Sequence, residues 1–288
     1  MKIGELIKKT KTPFVSLEFF PPAKEEQIPD FLDTVDRLAK FNPLFVSVTY
    51  GAGGNRPQNT LKITKALKDK NLEVMPHLTC IGASKAGIGE YLDKLRSIGI
   101  NNILALRGDP PVNEEWKGKD GNFRYASDLV NFVSNDYNDF GIGVAAYPFP
   151  HPESETFEKD REFTAKKLQS GADFAITQLF FDVREYVDLV ERLVKRSIMV
   201  PVIPGIMTIQ NINSLRRILS LCGAQIPAKF YLELEEAHNS GNPEKVREMG
   251  IKFAINQIHK LIEYGAPGVH LYTLNKSDIC ERIIKETL

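Results

Sequence analysis

The sequence predicts a single-domain α/β fold: a closed (β/α)8 TIM barrel over residues 1–288, with extra helices before the last strand. Three observations carry this expectation. Short apolar runs alternate with longer amphipathic stretches, eight such runs are present, and 288 residues suits one barrel. The runs cover 14–20, 44–50, 73–79, 102–107, 143–147, 173–178, 200–204 and 268–273. Helix-like stretches cover 28–40, 59–70, 86–98, 127–135, 154–170, 183–196 and 211–221. Such alternation argues for parallel β/α units, with a doubly wound open sheet as the structural alternative. Gly99, Gly171 and Gly265 each follow a helical stretch and precede a strand, as C-terminal helix caps do. Residues 226–264 read as one or two additional helices, with a break near Ser240-Gly241-Asn242-Pro243. No linker or second domain is visible.

Composition narrows the class. Lys+Arg and Asp+Glu both number 37, so no global field draws in nucleic acid or an anionic membrane. Cys80, Cys222 and Cys280 are far apart and form no zinc-type spacing, which suits a reducing cytosol. Residues 1–11 are lysine-rich and lack an apolar signal core, and no run is long enough to span a bilayer. The expectation is a soluble cytoplasmic protein.

Polar residues collect where each strand ends. In the first strand Val15, Leu17 and Phe19 share one face, and Ser16, Glu18 and Phe20 the other. The apolar face meets the helices, so Glu18 turns inward near the end where barrels of this kind carry their sites. Thr49, His77, Thr79, Arg107, Gly108, Asp109, Tyr147, His151, Gln178, Tyr272 and Asn275 occupy the same end of their strands. Together they mark an active site. A buried Glu18 is expected to have a raised proton affinity and to serve as a general acid, a role worth about 10²–10⁴ in rate. Asp109 is the second strand-end carboxylate. Gly108 allows close approach to a ligand, and Arg107 suits a phosphate or a ring edge. No lysine lies in a strand core, which weakens a Schiff-base reading.

Several features have bland readings too. Gly51-Ala-Gly-Gly54 either cradles phosphate or is an ordinary turn. His77 is a ligand contact or a hydrogen-bonded core histidine. Glu18 with Arg107 is a site or a structural ion pair; site is favoured, since paired buried charges rarely add stability. The stretches 160–167 and 233–236 read by default as solvated faces, and Trp116, in the loop 113–122, as part of a mobile surface loop. His77, His151, Glu18 and Asp109 show no recognised metal spacing, so an organic cofactor ranks above a metal and no metal ligand is assigned.

Ordered phrases along the chain resemble the methylenetetrahydrofolate reductase family. They are Ser16-Leu-Glu-Phe-Phe-Pro-Pro22, Val46-Ser-Val-Thr-Tyr-Gly-Ala52, Pro76-His-Leu-Thr-Cys80, Ala105-Leu-Arg-Gly-Asp-Pro110, Tyr125-Ala-Ser-Asp-Leu129, Ala145-Ala-Tyr-Pro148 with His151-Pro-Glu153, Ile176-Thr-Gln178 with Phe180-Phe-Asp182, Ile203-Pro-Gly-Ile206 and Leu271-Tyr-Thr-Leu-Asn275. The resemblance covers nearly the whole length and looks like the short, prokaryotic-type form, without a regulatory domain and so without inhibition by S-adenosylmethionine. It implies FAD bound without a Rossmann fingerprint. It also implies a ping-pong cycle from NAD(P)H through FAD to methylenetetrahydrofolate, as in one-carbon metabolism and methionine biosynthesis. Glu18 matches the family's general acid and Asp109 the aspartate that touches folate and tunes the flavin. Thr49, His77, Leu106, Arg107, Gly108, Tyr125, Ala126, Ala145, Tyr147, His151, Asp160, Lys166 and Lys167 match FAD contacts. This sets aside the solvated reading of 160–167. Gln178, Tyr272 and Lys276 match substrate contacts. Self-association into a homo-oligomer is implied, and some short-form members use an electron-donor partner subunit.

The chain also departs from the family pattern. Arg56-Pro-Gln-Asn-Thr60 replaces an Arg-Asp-Arg-Thr run, Phe163 an FAD-contacting asparagine, Ile218 an aromatic ring on the substrate, and Lys276 an arginine. The rival readings are a metal-dependent barrel lyase or hydrolase, and a non-catalytic barrel subunit. Two inward carboxylates argue against the second.

Overall fold

The computed structural model describes residues 1–50, 57–109 and 121–288. Gly51–Gly54, Arg56 and Trp116, singled out above, lie outside the described residues. Among the described residues nine strands form one parallel sheet: β1 Phe14–Phe19, β2 Val46–Val48, β3 Val74–Thr79, β4 Asn102–Leu106, β5 Gly141–Ala146, β6 Phe174–Thr177, β7 Val202–Ile203, β8 Gly205–Met207 and β9 Gly268–Tyr272. The helices are α1 Ile3–Lys9, α2 Ile28–Ala39, α3 Pro57–Asp69, α4 Lys85–Ser97, α5 Ala126–Asp136, α6 Phe157–Gln169, α7 Val183–Lys195, α8 Ile212–Cys222, α9 Ala228–Asn239, α10 Pro243–Tyr264 and α11 Ser277–Thr287. No helix among the described residues is long and apolar enough to cross a membrane.

The sheet runs β7-β6-β5-β4-β3-β2-β1-β9-β8. Only Pro204 separates β7 from β8, so the two are halves of one barrel strand. The first half pairs with β6 and the second with β9, which brings the ring round on itself. Proline has no N–H to give the ladder, so it interrupts the strand. Its carbonyl still accepts from the His270 N–H at 2.9 Å, and the Gly205 N–H donates to Thr177 Oγ1 at 2.8 Å. The sequence expectation ended this strand at Pro204, whereas the structure carries it to Met207.

Strand faces divide as the alternation requires. Val15, Leu17 and Phe19 pack outward in the layer between strands and helices. A second cluster fills the barrel axis: Phe14, Phe45, Met75, Leu104, Phe174, Ile176 and Ile203, with Leu106 packed against it. Ile3 and Ile7 of α1 belong to this axial cluster, so the N-terminal helix plugs the bottom of the barrel. Its position is set by the Ile3 N–H donating to Asn102 Oδ1 at 2.8 Å, and by Gly4, where a Cβ would stand 2.6 Å from Asp173 Cβ. The sequence reading assigned no element to residues 3–9 and none after the last strand; α1 and α11 are additions to it.

The expected interruption in 226–264 separates α9 from α10. Asn242 caps α10 by accepting from the Lys245 N–H at 2.9 Å, Pro243 opens it, and Gly265 ends it at φ 103°. Strand five begins two residues earlier than expected, at Gly141.

Candidate active site

Glu18 points into the barrel, buried to 6% exposure, near the end of β1. Two other strands aim side chains at it. His77 of β3 brings Nε2 to 3.3 Å from Glu18 Oε2, out of line for a hydrogen bond. His270 of β9 brings its Nε2 to 3.9 Å from the same oxygen. Tyr272, two residues on, spans to β6 and donates to the Thr177 carbonyl at 2.6 Å. Gly205 makes room for that ring, since a Cβ there would meet the Thr177 oxygen at 2.3 Å and the Tyr272 ring at 2.7 Å. The backbone beneath Glu18 is clamped from the C-terminal side. Thr273 Oγ1 donates to the Glu18 carbonyl at 2.6 Å, and Asn275 both accepts from Phe20 N–H and donates to Phe20 O. Leu274 and Asn275 take left-handed φ values of 48° and 54° to make that clamp.

The electrostatics correct the sequence expectation. Burial pushes the Glu18 carboxyl up, as anticipated, but the two imidazoles more than reverse this and bring it down to about 2. Glu18 is therefore an ionised group with low proton affinity. Burial pushes His270 down, opposed by Glu18, so this ring is neutral. Burial pushes the Tyr272 phenol well above its usual range.

Around this centre the structure gathers most of the strand-end residues. Thr49 is buried at the end of β2, and its Oγ1 has no hydrogen-bond partner among the described residues; His77 Nε2 likewise has none. Gly108 turns at φ 85° against Thr79, with room for a Cβ only 3.0 Å from Thr79 Cβ. Arg107 forks onto Glu153 at 2.6 and 3.0 Å, so it is not the partner of Glu18. Asp109 is exposed on the loop after β4 and acts electrostatically on Arg107 and Tyr147. Tyr147 packs edge-on against His151 at 4.8 Å, and Gln178 reaches its hydroxyl.

The loop after β5 is organised by buried groups rather than by a solvated helix face. Asp160 accepts from the His151 N–H and the Ser154 hydroxyl, both at 3.1 Å. Arg161 is 1% exposed and donates to the Tyr147 and Pro148 carbonyls. The default solvated reading of this stretch is overturned at these two residues. Lys167 turns inward and donates to the Ala145 carbonyl, whereas Lys166 is exposed. Tyr125, beside Ala126 at the start of α5, stacks on Phe163 at 6.1 Å. Two departures share one place: Ile218 and Lys276 line a cleft of about 110 Å³ with Met207 and Leu274. A larger cavity of about 440 Å³ beside Lys85, Phe123 and Phe132 contains none of the strand-end residues.

Two residues escaped the sequence reading. His270 shares a face with Tyr272 by strict alternation, so choosing Tyr272 as inward already implied it. Arg161 gave no such signal, because a charged residue in a Lys- and Glu-rich helix reads as solvated.

The barrel mouth thus offers an ionised carboxylate between two imidazoles, buried polar atoms with no hydrogen-bond partner among the described residues, and a shelf of Tyr147, Gln178 and Tyr272. Comparison with known proteins bears on what it handles. A family model described as methylenetetrahydrofolate reductase matches residues 2–287. The chain is 37% identical over 286 residues to methylenetetrahydrofolate reductase (NADH) 1 of Arabidopsis thaliana, covering 95% of this chain and 48% of that protein. The chain thus spans about half the length of this plant relative. It is 37% identical over 273 residues to 5,10-methylenetetrahydrofolate reductase of Salmonella typhimurium, covering 92% of this chain and 87% of that one. A solved, uncharacterized protein from Clostridium thermocellum that binds two copies of 5-methyl-5,6,7,8-tetrahydrofolic acid superposes with a TM-score of 0.69. It covers 99% of this chain and 97% of that chain at 15% identity, a likeness of fold.

Proposed function

Because the chain belongs to the methylenetetrahydrofolate reductase family, we propose that it reduces 5,10-methylenetetrahydrofolate to 5-methyltetrahydrofolate, with FAD carrying hydride from NAD(P)H and Glu18 as general acid. The observation that carries this reading is Glu18, inward at the strand ends with His77 and His270 on either side of its Oε2. The full barrel, residues 1–288, is the catalytic unit in this reading. A homo-oligomer or an electron-donor partner subunit belongs to the same proposal.

The residues fit a flavin. Thr49 Oγ1 and His77 Nε2 are buried polar atoms with no hydrogen-bond partner among the described residues, His77 Nε2 having only the out-of-line Glu18 oxygen at 3.3 Å, and they sit side by side at the ends of β2 and β3, where the polar edge of a ring would satisfy both. Arg107, Gly108, Asp109, Leu106, Ala145, Tyr147, His151, Asp160, Lys166, Lys167, Tyr125 and Ala126 are the remaining proposed contacts. Bound FAD supplies a two-electron carrier that accepts hydride from nicotinamide and yields it to the folate one-carbon unit.

Glu18 does the acid work. Opening the folate imidazolidine ring breaks a C–N bond, and the departing nitrogen takes a proton from the Glu18 carboxyl. The imidazoles hold Glu18 ionised in the free site, so this role requires it to take up a proton as the seated folate strips the carboxyl of its remaining water; the same imidazoles then favour the carboxylate left behind. The opened folate is a cation, and a carboxylate ~4 Å away favours it by on the order of 4 kcal/mol at an effective dielectric of 20. Gln178, Tyr272 and Lys276 would hold the folate, with Asp109 at its edge.

The test is an anaerobic visible spectrum. The purified protein should be yellow, bleach with NADH or NADPH, and recolour with methylenetetrahydrofolate. A protein that neither binds added FAD nor changes with either substrate would sink the reading. Glu18→Gln should slow recolouring by at least about 10² while leaving bleaching within about twofold. Unimpaired recolouring would remove Glu18 as the acid.

A further inference from the structure

The loop after β5 cannot hold its shape by itself. Its sequence, Tyr147-Pro148-Phe149-Pro150-His151-Pro152, puts proline at every second position, so three of these six residues have no N–H with which to close a turn. Carbonyls turned away from water there need a donor from elsewhere. Arg161 of α6 supplies it. One terminal nitrogen donates to the Tyr147 carbonyl at 2.6 Å, and the other to the Pro148 carbonyl at 2.5 Å. Among the described residues no other donor reaches either carbonyl. The guanidinium lies over the Phe157 ring, 4.3 Å from its centroid, with oxygens of Asp160 and Asp188 at 3.3 and 3.5 Å. Those two carboxylates have further partners. Asp188 accepts from Arg192 at 2.7 Å, and Asp160 from the His151 N–H and the Ser154 hydroxyl, both at 3.1 Å. The two consecutive carbonyls are thus what depends on Arg161. Burying a guanidinium is costly, and an apolar side chain of like volume would fill the space at less cost. Such a side chain could not replace the fork.

We propose that Arg161 is a positioning residue for the ligand-facing side of this loop: by clamping two consecutive carbonyls it sets Tyr147 and His151 in place before a ligand arrives. Arg161 is 1% exposed, so it acts through the loop and not by touching a ligand. Tyr147 follows β5 directly, and its ring stands edge-on to His151 at 4.8 Å and to Phe149 at 6.0 Å. The His151 backbone is tied to Asp160, the residue beside Arg161, so one turn of α6 fixes both rings. Without the fork the two carbonyls would turn toward water, and Tyr147 would move with them. The inference rests on the reading of Tyr147 and His151 as flavin contacts.

The experiment titrates the flavin-free protein with FAD, follows flavin fluorescence, and records a thermal melt of each variant beside it. Arg161→Met keeps much of the volume and loses every donor. Arg161→Lys keeps the charge but offers a point donor in place of a fork. If the unclamped loop is correctly arranged about a tenth of the time, the FAD dissociation constant of the methionine variant rises about tenfold. The lysine variant should fall between it and wild type. On the FAD-saturated methionine variant, bleaching by nicotinamide should stay within about threefold of wild type, because bound FAD holds the loop in its working arrangement. A merely structural arginine would lower the melting temperature and leave the dissociation constant where it was. A folded methionine variant whose dissociation constant lies within about twofold of wild type would therefore overturn the proposal. Where that variant does not fold, hydrogen exchange of the wild type decides. The His151 and Ser154 amides, which donate to Asp160 and to the His151 carbonyl, should be protected in the flavin-free protein and change little on loading. Free exchange at both until FAD is added would overturn the proposal. A wild type that binds no FAD sinks the flavin reading instead, and leaves the exchange result standing.

Discussion

Lys167 is held where a charge is costly. Burial depresses its amine to about 8 from an ordinary 10.5, with Asp160 opposing the shift. The unfolded chain then binds more protons than the folded one between those values, so stability rises as pH climbs from about 8 toward 10.5. At neutral pH the folded protein bears the cost of a desolvated ammonium, the kind of cost a site accepts for the sake of a ligand. Lys167→Met should therefore stabilise the flavin-free protein at pH 7 by up to about 1 kcal/mol, flatten that alkaline rise, and weaken FAD binding. Thermal melts with and without FAD check it, and a less stable flavin-free variant would remove the argument. The contrast with Glu18 shows what a sequence says about single residues. Alternation placed Glu18 inward, but its proton affinity depends on His77 and His270, which come from strands far along the chain. Burial alone argues for a raised value; the neighbours reverse it.

At the scale of elements, a strand or helix was legible where it buries a regular face. All eight apolar runs became strands because each presents alternate side chains to axis and helices. The helix α1 was hidden because Ile3 and Ile7 are its only buried apolar side chains, and seven residues are too few for a periodic pattern. The split of β7 from β8 was hidden for another reason: it depends on Pro204 lacking one N–H, while both halves stay in the ring. The plug lies at the end of the barrel opposite Glu18, and this separates stability from chemistry. Ile3 is fully buried, so Ile3→Ala should cost about 2–4 kcal/mol of unfolding free energy. Both flavin half-reactions should keep their rates at temperatures where the variant is folded. Denaturant melts and stopped-flow rates measured together test this. A stable variant with slowed folate reduction would mean that the two ends of the barrel are coupled through the axial cluster.

For the whole molecule, the closure of the ring decides how far the chain can be divided. The last strand β9 pairs with β1 from Phe14↔Gly268 to Glu18↔Tyr272, and with β8 on its other side. Residues from the two ends of the sequence therefore make one site, with Glu18 from the first strand and His270 and Tyr272 from the last. The count of strands was legible in the alternating runs, but closure was not, since an open doubly wound sheet has the same alternation. Closure has a measurable consequence at the turn between α9 and α10. Ser240, Gly241 and Asn242 are exposed, and Gly241 takes a φ of 70° there, so this is an accessible place to cut the backbone. A cut here leaves β9, α10 and α11 on a short C-terminal fragment whose β9 is still flanked by β1 and β8. Val246, Ile251, Ile258, Val269, Leu271 and Ile283 of that fragment all lie in the main apolar cluster. Holding the fragment costs only the entropy of association, against the loss of that whole interface. A chain nicked between residues 240 and 242 should elute as one species, unfold in one transition, and retain the ability to bleach and recolour. Separation of the fragments under native conditions would show that β9 is held by chain connectivity rather than by its two ladders and the core beneath them.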